Sequence, residues 1–501
     1  MTFENSIVKL TDLCTDVSYG YTASANEKKV GPKFLRITDI QGGEVEWDDV
    51  PYCEIDERSL VKNKLEFGDI VVARTGNSTG ENYLYSSSEE AVFASYLIRF
   101  RVNPDLANPY FVWLQMRTQN WWSYVAGSKS GSAQAGANAK VLGQFELYLP
   151  ERKIQDEAAS VMLCFNDKLK LNRQTNQTLE QIAQAIFKSW FVDFEPVKAK
   201  IIAKQKGGDK LAQTLAAQAI ISGAITLEQL EALEEDYQGL EAQLHPLITK
   251  KYPNEIGLDY WTPETLQTVA DLFSDALVDA AQGSANVAGA GSAGATSDLG
   301  EIPEGWEYGS LSKVCVFSDE RINVGDLTVE NYISTENMLE GKRGVTTATS
   351  LPNVKTVPYF TDGHILVSNI RPYFMKIWLC QFEGGRSADV LGIKSADSSS
   401  IEYLYNLLYQ DAFFNYMMAT SKGAKMPRGD KDAIMSWNVT LPVLDLRRAY
   451  SKIVKGYYDL IENNNQENRS LVDVRDLLLP KLLSEEAVIG KMAQSATGDV
   501  A

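Results

Sequence analysis

Apolar side chains recur at helical spacing in two long stretches of the chain, and both stretches follow one pattern. The apolar positions are 154, 161, 165, 169, 179, 182 and 186 in the first stretch and 446, 453, 457, 461, 471, 474 and 478 in the second. Steps of three, four and seven residues are typical of helices that pack along a coiled-coil seam. The pattern therefore predicts two long amphipathic helices that pack in the same way.

Polar amides interrupt this apolar stripe at the same place in both helices. The single longer step contains Asn172 and Asn176 in the first helix and Asn464 and Asn468 in the second. A buried asparagine at a seam position costs stability but selects one register and one partner orientation. We therefore expect the helices to cross antiparallel, with Asn172 close to Asn464 near the crossing. The alternative is that these amides point to solvent.

The two helices belong to a longer internal repeat. The Leu-Pro pair at 149–150 recurs at 441–442, and residues 110–187 align without a gap with residues 402–479, 292 positions later. A repeat of this length governs the architecture, and two similar modules in one chain can form a pseudo-two-fold body. Because the two copies differ in detail, such a body has two related but non-identical surfaces.

Strand patterns and an aromatic helix precede the Leu-Pro pair in each copy. Apolar runs bounded by turn residues predict strands at 34–40, 68–74, 332–336 and 363–369. One short aromatic helix is predicted near 109–125 and its counterpart near 401–418. A partly cationic loop of small residues then leads to the last strand of each copy.

The chain is therefore predicted to be α+β. Two mixed α/β modules in a pseudo-two-fold arrangement are separated by two long antiparallel coiled-coil helices, with a helical insertion between the repeats. The predicted segments are a first module at 1–150, its helix at 151–195, an acidic helical insertion with a flexible linker at 196–300, a second module at 301–442, its helix at 443–487 and a C-terminal tail at 488–501. Within the insertion, Thr226 and Gln229 form a capping-box pattern, and Thr262-Pro263 is a good helix start. The Gly/Ala/Ser-rich stretch at 285–296 is typical of a flexible linker.

Composition and charge limit the possible functions. The net charge is −18, but the insertion at 196–300 is the most acidic segment, with 14 acidic and 7 basic residues. If either module binds a nucleic acid, it needs a local cationic patch and cationic partners. No apolar run reaches the roughly 20 residues that span a bilayer, so no membrane partner is expected. The five scattered cysteines indicate reduced thiols in a cytoplasmic protein.

The usual catalytic patterns are not evident in the sequence. Only two histidines occur, His245 and His364, and they lie far apart in the chain, which leaves little material for a histidine triad or a histidine-rich metal site. No phosphate-binding loop of the G-x-x-x-x-G-K-[ST] type is present. The Asn-Pro-Tyr-Phe run at 108–111 lacks the second proline of an adenine methyltransferase motif and more plausibly starts the aromatic helix. We therefore predict a chain without catalytic residues, cofactor or metal.

Three segments resemble a known family. The first is the helix sequence at 172–180 followed by Phe-Lys-Ser-Trp-Phe-Val-Asp-Phe at 187–194; the others are Leu-Gly-Glu-Ile-Pro-Glu-Gly-Trp at 299–306 and Leu-Leu-Pro-Lys-Leu-Leu at 478–483. Together they resemble the specificity (S) subunit of type I restriction-modification enzymes, which act in phage defence. The resemblance covers both halves and fails over roughly 200–285.

The resemblance implies a non-catalytic subunit that reads double-stranded DNA. In that family two target-recognition domains each read one part of a split sequence, and the two helices act as a spacer between them. The subunit docks two methyltransferase subunits, which bind S-adenosylmethionine. Restriction/translocase subunits, on which ATP and Mg are expected, complete the complex. By this resemblance the cofactors lie on the partner subunits.

Polar and cationic residues near the strand ends and in the two small-residue loops are the candidate DNA contacts. Arginine, lysine, asparagine and glutamine are the residue types that reach phosphates and purine edges. The candidates are Arg74, Asn77, Lys129, Gln134, Asn138 and Lys140 in the first module and Asn369, Arg371, Lys376, Lys422, Lys425, Arg428 and Lys431 in the second. For any single residue an ordinary solvated side chain is an equally good interpretation.

Two other functions stay open from the sequence. A protein-binding adaptor would use the helix pair to hold two protein partners, and the acidic net charge favours it somewhat. An enzyme with an unrecognised site would need intrinsic nuclease or methyltransferase activity in the isolated chain. Sequence-selective, salt-dependent binding to duplex DNA by the complex with its methyltransferase would separate DNA recognition from the protein-binding adaptor.

Changing the length of the two helices is predicted to change the spacing of the target and not its bases. A helix of about 34 residues at ~1.5 Å per residue spans roughly 50 Å, and duplex DNA rises ~3.4 Å per base pair. The unread gap is therefore expected to be several base pairs. Matched insertions in both helices, followed by genome-wide mapping of methylated adenines, measure it. Altered bases at unchanged spacing would contradict the spacer interpretation.

Overall fold

The computed structural model describes residues 6–128, 137–233, 242, 244–246, 248, 262–280, 300–423 and 425–482. It consists of two compact units: unit 1 comprises Met1–Arg173 and Gln466–Ala501, and unit 2 comprises Gln174–Asn465. Each unit therefore contains one module, part of that module's own long helix and part of the long helix of the other repeat. Positions 174 and 466, where the units meet along the chain, are equivalent in the repeat.

Unit 1 has a four-stranded antiparallel sheet between two cores. Its elements are β1 (Ser6–Lys9), β2 (Cys14–Tyr19), β3 (Lys33–Leu35), α1 (Glu57–Asn63), β4 (Asp69–Ala73), β5 (Asn82–Leu84), β6 (Ala91–Phe93), β7 (Leu97–Val102), α2 (Pro109–Gln115), α3 (Gln119–Ser128), α4 (Ala139–Leu142), β8 (Glu146–Leu149) and the start of α5 (Arg152–Phe191). The sheet order is β2-β7-β4-β5, while β1 pairs with β8 and β3 runs parallel to β6.

The central strand of this sheet is buried on both faces. Ile70 and Val72 of β4 belong to the core that contains Trp121, whereas Val71 and Ala73 belong to a second core that contains Phe93. Successive side chains of a strand point to opposite faces, so a continuous apolar run requires a layer on each side. The predicted strand at 68–74 is confirmed for this reason.

Unit 2 repeats the plan and adds the insertion. Its elements after α5 are α6 (Glu195–Gln205), α7 (Lys210–Ile221), α8 (Leu227–Glu231), α9 (Pro263–Asp271), β9 (Leu277–Asp279), β10 (Glu301–Pro303), β11 (Glu307–Ser310), β12 (Cys315–Phe317), β13 (Arg321–Asn323), β14 (Tyr332–Ile333), β15 (Thr356–Phe360), β16 (Ile365–Ser368), β17 (Ile377–Leu379), β18 (Gly384–Arg386), β19 (Val390–Ser395), α10 (Ile401–Tyr409), α11 (Asp411–Ala419), α12 (Lys431–Met435), β20 (Asn438–Leu441) and α13 (Leu444–Leu482). The main sheets have the orders β12-β19-β16-β17 and β13-β15-β18-β14.

Two predicted strands are shorter than expected, and the reason is the same in both copies. The strand predicted at 34–40 ends at Leu35, because the Asp39 carboxylate accepts hydrogen bonds from the main-chain N–H and the guanidinium of Arg36 and closes a turn. The strand predicted at 332–336 ends at Ile333, because Asn337 Oδ1 accepts the main-chain N–H of Ser334. Side chains of this type compete with strand ladders for main-chain groups.

Each predicted aromatic helix is in fact two helices. The first copy divides into α2 and α3, and the second into α10 and α11. The first helix of each pair packs beside a long helix within its own unit: Asn166 donates to the Tyr110 hydroxyl in unit 1 (2.8 Å), and Asn406 donates to the Tyr458 hydroxyl in unit 2 (3.0 Å).

The long helices α5 and α13 run antiparallel within each unit. In unit 1, Asn172 donates to Glu467 Oε2 (2.8 Å) and Asn468 Oδ1 (2.9 Å). In unit 2, Asn176 donates to Asn465 Oδ1 (2.9 Å) and accepts from Asn464 (2.8 Å). Further along α5, the Ala183 carbonyl accepts a hydrogen bond from the Tyr450 hydroxyl (2.9 Å). Residues later in α5 therefore pair with residues earlier in α13, as in an antiparallel pair.

The four asparagines of the predicted seam pair across the two helices. Asn172 pairs with Asn468, and Asn464 pairs with Asn176. These two bonds are equivalent in the repeat, because Asn464 is the counterpart of Asn172 and Asn176 is the counterpart of Asn468. Asn172 is 3% exposed, so it lies on the packed side of the helix and not in solvent.

The predicted apolar seam is confirmed only in part. Leu169, Leu179 and Ile453 are buried, whereas Val161 is 40% and Val474 is 44% exposed. Val161 lines an open apolar groove on the helix pair of unit 1 together with Phe165 and Leu471. The helices therefore pack more openly at these positions than an uninterrupted seam requires.

An aromatic cluster anchors the insertion in unit 2. Phe187, Trp190 and Phe191 at the end of α5 are buried, and Trp190 packs edge-on against Phe273 with ring centroids 5.3 Å apart. Phe194 then takes a left-handed conformation (φ 54°) and caps α6. The distinctive Phe-Lys-Ser-Trp-Phe-Val-Asp-Phe run therefore ends the long helix and fastens the insertion to it.

The predicted helix starts in the insertion are confirmed. Thr226 and Gln229 make both bonds of the capping box, and the Thr262 side chain caps α9. The linker at 285–296 and the tail at 488–501 lie outside the described residues, as does most of 234–250. In the described part of the chain no helix is long and apolar enough to cross a membrane.

Substitutions of Asn172 and Asn468 are predicted to be strongly coupled in their effects on the free energy of unfolding. Asn172→Ala leaves the half-buried amide oxygen of Asn468 without its donor, and Asn468→Ala leaves the buried Asn172 amide without one of its acceptors, each at about 1–2 kcal/mol. The double variant loses the pair only once, so its destabilisation is smaller than the sum by about 0.5–3 kcal/mol. Equilibrium unfolding of the four proteins measures this coupling. Strictly additive effects would show that the amides do not form one unit.

Glu180 is predicted to make unit 2 less stable as the pH rises through neutrality. Burial raises the pKa of Glu180 to about 7, and its carboxylate lies 3.4 Å from the Tyr405 hydroxyl. The folded state therefore holds this proton more tightly than the unfolded state, and its stabilising effect is lost between the ordinary pKa of 4.5 and about 7. Glu180→Gln should raise the melting temperature at pH 8 and flatten the difference between pH 6 and pH 8.

Glu467→Gln is the matched control, and its effect on the pH dependence of stability should have the opposite sign. Hydrogen bonds from Asn172 and Lys168 lower the pKa of Glu467, so its contribution is present at neutral pH and lost in acid. Thermal unfolding at several pH values compares the two variants. An identical pH profile for wild type and Glu180→Gln would contradict the first assignment.

Candidate nucleic-acid interface

In each module one group of candidate residues, Arg74 and Asn77 or Asn369 and Arg371, follows a strand that ends at the same side of the main sheet. In unit 1, Tyr19 of β2 is opposite Ile98 and Ala73 of β4 is opposite Leu97, so β2 and β4 end where β7 begins. In unit 2, β16 ends at Ser368, which is opposite Val390, the first residue of β19. The segments beyond these ends form one surface on each module, which we call the sheet-end surface.

The same two main-chain hydrogen bonds hold the sheet-end surface in both modules. In unit 1 the Arg74 N–H donates to the Tyr96 carbonyl (3.1 Å), and the Ala137 N–H donates to the Arg74 carbonyl (3.0 Å). In unit 2, Asn369 makes the equivalent bonds, to the Asp389 carbonyl (2.8 Å) and from the Gly429 N–H (3.1 Å). Main-chain bonds do not depend on side-chain identity. The frame is therefore shared, and the side chains that it presents differ.

In unit 1 the structure brings several candidates together. The Arg74 guanidinium lies over the Tyr19 ring, 4.9 Å from its centroid, and the Ala139 N–H donates to the Tyr19 hydroxyl (3.0 Å). Asn138 and Lys140 flank Ala139 and are exposed, although the Asn138 side chain is also used to cap α4. Asn77 is exposed in the turn after Arg74. The candidates Lys129 and Gln134 lie outside the described residues.

In unit 2 two of the cations are held in ion pairs. Arg428 lies 3.2 Å from the Asp389 carboxylate, and Lys422 contacts Asp430. Hydrogen bonding to Asp430 raises the pKa of Lys422, and the same contact lowers the pKa of the Asp430 carboxyl. Pairs this exposed contribute little to stability. Both cations can therefore leave their carboxylates for a stronger anion at little cost.

The Asn369–Arg371 segment is strained. Arg371 has φ 49° and Met375 has φ 49°, a left-handed conformation that non-glycine residues rarely adopt. Asn369 Oδ1 and Arg371 Nε are buried and form no hydrogen bond with any described residue. Strain and unsatisfied polar atoms of this kind cluster at functional sites, where the surrounding structure maintains them. The Arg371 N–H nevertheless donates to the Pro427 carbonyl (2.9 Å), which ties the segment to the opposite loop.

The other candidates of unit 2 have mixed surroundings. Lys376 donates to the Thr335 carbonyl (2.9 Å) and lies over the Phe374 ring, so its ammonium already has partners. Lys431 lies over the Phe317 ring, 5.6 Å from its centroid. Lys425 is exposed. Of these three, Lys425 has the fewest constraints within the described structure.

Residues that the sequence did not single out complete the surface. Tyr19 is 42% and Tyr96 is 60% exposed, and both lie beside Arg74, while Asp389 takes the place of Tyr96 in unit 2. Only the sheet order reveals that Tyr19 lies near Arg74, because β7 lies between β2, which ends at Tyr19, and β4, which precedes Arg74. A large exposed aromatic residue at the end of a strand is the one sequence signal that could have indicated Tyr96.

The described residues offer little alternative chemistry. No group of three or more histidine, cysteine or acidic side chains suited to a metal ion occurs among them. Burial raises the pKa of the Cys315 thiol to about 12 and lowers the pKa of the His364 imidazole, so both groups favour the uncharged form. The polar surface of the two modules is therefore the main candidate site.

Comparison with known proteins gives consistent matches. Residues 4–181 match the type I restriction modification DNA specificity domain. The type I restriction enzyme HindI specificity subunit of Haemophilus influenzae is 27% identical over 468 residues, covering 89% of this chain and 93% of that protein. The type I restriction enzyme EcoKI specificity subunit of Escherichia coli is 25% identical over 177 residues, covering 34% and 38%.

A solved structure is also similar. The crystal structure of the type I restriction-modification system S subunit from M. genitalium aligns with a TM-score of 0.49 and 11% sequence identity, covering 96% of each chain.

Proposed function

We propose that this chain, which belongs to the specificity subunits of type I restriction-modification enzymes, reads a split DNA target with one module for each part. The observation that carries this proposal is the shared frame of the sheet-end surfaces. In both modules two equivalent main-chain bonds hold the segments after the strands, at Arg74 in one and at Asn369 in the other. The side chains on that frame differ, so each module presents its own set of donors and acceptors.

Different side chains on one frame suit two different base sequences. Base identity is read by hydrogen bonds and apolar contacts in the grooves, whereas phosphate contacts set position. The first module presents Arg74 with two exposed tyrosines, and the second presents an asparagine with Arg428 and Asp389. Two modules with one sequence preference would need no such divergence.

The net charge of −18 is compatible with this function because the cations are local. The exposed ion pairs of Lys422 and Arg428 can exchange their carboxylates for DNA phosphates. An acidic chain that reads bases with few phosphate contacts depends on partner subunits for much of its affinity. The assembled complex is therefore the DNA-binding form in this proposal.

The helices α5 and α13 are the proposed spacer between the two parts of the target. The 40 residues of α5 span about 60 Å at ~1.5 Å per residue. The amide pairs of Asn172 with Asn468 and of Asn176 with Asn464 select one antiparallel register. A fixed register gives a fixed spacing, and the target then contains an unread gap of several base pairs.

The chemistry belongs to partner subunits in this proposal. The chain docks two methyltransferase subunits with S-adenosylmethionine and restriction subunits with ATP and Mg, in the cytoplasm. One of the similar solved structures is of complex assembly in a type I restriction-modification system. The function of the chain itself is recognition and assembly. The acidic net charge favours a protein-binding adaptor without DNA recognition, but no contact between the described residues supports that function.

Genome-wide mapping of methylated adenines tests the function. Cells that express the chain with its methyltransferase should carry methylation at a motif of two short blocks separated by a constant gap, and cells without the chain should lack it. The complex should bind that duplex more tightly than a scrambled one, and the affinity should fall steeply with salt. Identical methylation with and without the chain would overturn the proposal.

A further inference from the structure

We infer that Arg74 reads a guanine base in the part of the target that the first module contacts, and that Tyr19 is the residue that positions it. This inference rests on the proposed function. It concerns one base pair and one supporting side chain, neither of which the comparisons assign.

The fold places the two side chains across an intervening strand. Tyr19 is the last residue of β2 and Arg74 follows β4, and β7 lies between these strands. Neighbouring strands are about 4.8 Å apart, so β2 and β4 are about 10 Å apart. The side chains nevertheless meet over β7, with the guanidinium 4.9 Å from the ring centroid. The tyrosine ring therefore supports the guanidinium from one side.

Tyr19 also connects Arg74 to the opposite loop. Its hydroxyl accepts the Ala139 N–H (3.0 Å), and the Ala137 N–H donates to the Arg74 carbonyl (3.0 Å). Asn138 and Lys140 lie on the same short segment. One side chain thus holds the arginine and the polar loop in a fixed relation before any ligand is bound, which lowers the entropy cost of binding.

Arg74 differs from the other arginines of its sheet. Arg99 pairs with Asp16 (2.7 Å), and Arg101 pairs with Asp69 (2.8 Å), whereas Arg74 is in none of the ion pairs between described residues. A guanidinium that lies over a ring and is in no ion pair keeps the donors along its edge available. Such an edge matches two neighbouring acceptors in one plane.

The ligand that fits best is the major-groove edge of guanine. Its O6 and N7 atoms are neighbouring acceptors, and the bidentate contact to arginine is the commonest specific contact to DNA. A phosphate also offers two oxygens. The Tyr19 ring under the guanidinium and the exposed Tyr96 that follows in the same surface favour a base, because an aromatic surface contacts bases and the thymine methyl group better than a phosphate.

The experiment uses the complex of the full chain with its methyltransferase. Wild type, Arg74→Ala, Arg74→Lys, Tyr19→Ala and Tyr19→Phe are compared by methylation mapping and by binding to duplexes that carry each base at every position of the motif. Arg58→Ala is the matched control, because Arg58 is exposed on α1. This helix lies at the opposite end of the sheet from Arg74: the carbonyl of Lys64, the residue after α1, accepts hydrogen bonds from Arg99 and Arg101.

Arg74→Ala should relax one guanine position in one part of the motif by about five- to hundred-fold and leave the other part unchanged. Arg74→Lys should not restore the discrimination, because an ammonium lacks the rigid planar fork of donors that matches two neighbouring acceptors. Tyr19→Ala should relax the same position, and Tyr19→Phe should restore most of the discrimination because the ring remains. Arg58→Ala should leave the motif unchanged.

Two results would overturn the inference. Uniform weakening of all duplexes by Arg74→Ala, with an unchanged motif, would make Arg74 a phosphate contact. Full discrimination in Tyr19→Ala would remove the positioning role. The unaltered second part of the motif serves as the internal check that each variant is folded. A wild-type complex that shows no motif would instead count against the proposed function.

Discussion

The antiparallel pairing of α5 with α13 is the constraint on which the rest of the structure depends. Leu478, Leu479 and Leu482 at the end of α13 pack against the core of the first module. The Phe187 ring near the end of α5 packs against Tyr403 of the second module. Each compact unit is therefore completed by a helix segment from the other repeat. A shift of register between the helices would disturb both cores, and the amide pairs within the apolar stripe select the register that preserves them.

In the proposed function, recognition and folding use separate parts of each module. Alternating residues of β4 and β16 fill two cores and tolerate little change. The segments beyond the strand ends are held through main-chain atoms, which any residue supplies. Side chains there can diverge without loss of the frame, as the exchange of Tyr96 for Asp389 illustrates. This division allows the specificity of one module to change without a change of fold.

The sequence predicted the features that arise from periodicity and not those that arise from long-range contacts. The two helices, the central strands and the helix caps follow from local patterns and are confirmed. The ends of the strands at Leu35 and Ile333 depend on Asp39 and Asn337, whose turn-forming bonds are not distinguishable in advance from solvation. The exposure of Val161 depends on how closely two helices approach. The contact of Arg74 with Tyr19 depends on strand order, which the repeat alone does not give.

The contrast between the modules explains how an acidic chain can present cations to an anionic ligand. In the second module carboxylates shield the cations: Asp389 holds Arg428 and Asp430 holds Lys422. In the first module an aromatic ring performs the supporting role for Arg74. A phosphate can displace the carboxylate from such a cation at little cost, because the ion pairs are exposed. An arginine that lies over a ring needs no such exchange. In both arrangements the cations stay available to an anionic ligand although the net charge of the chain is −18.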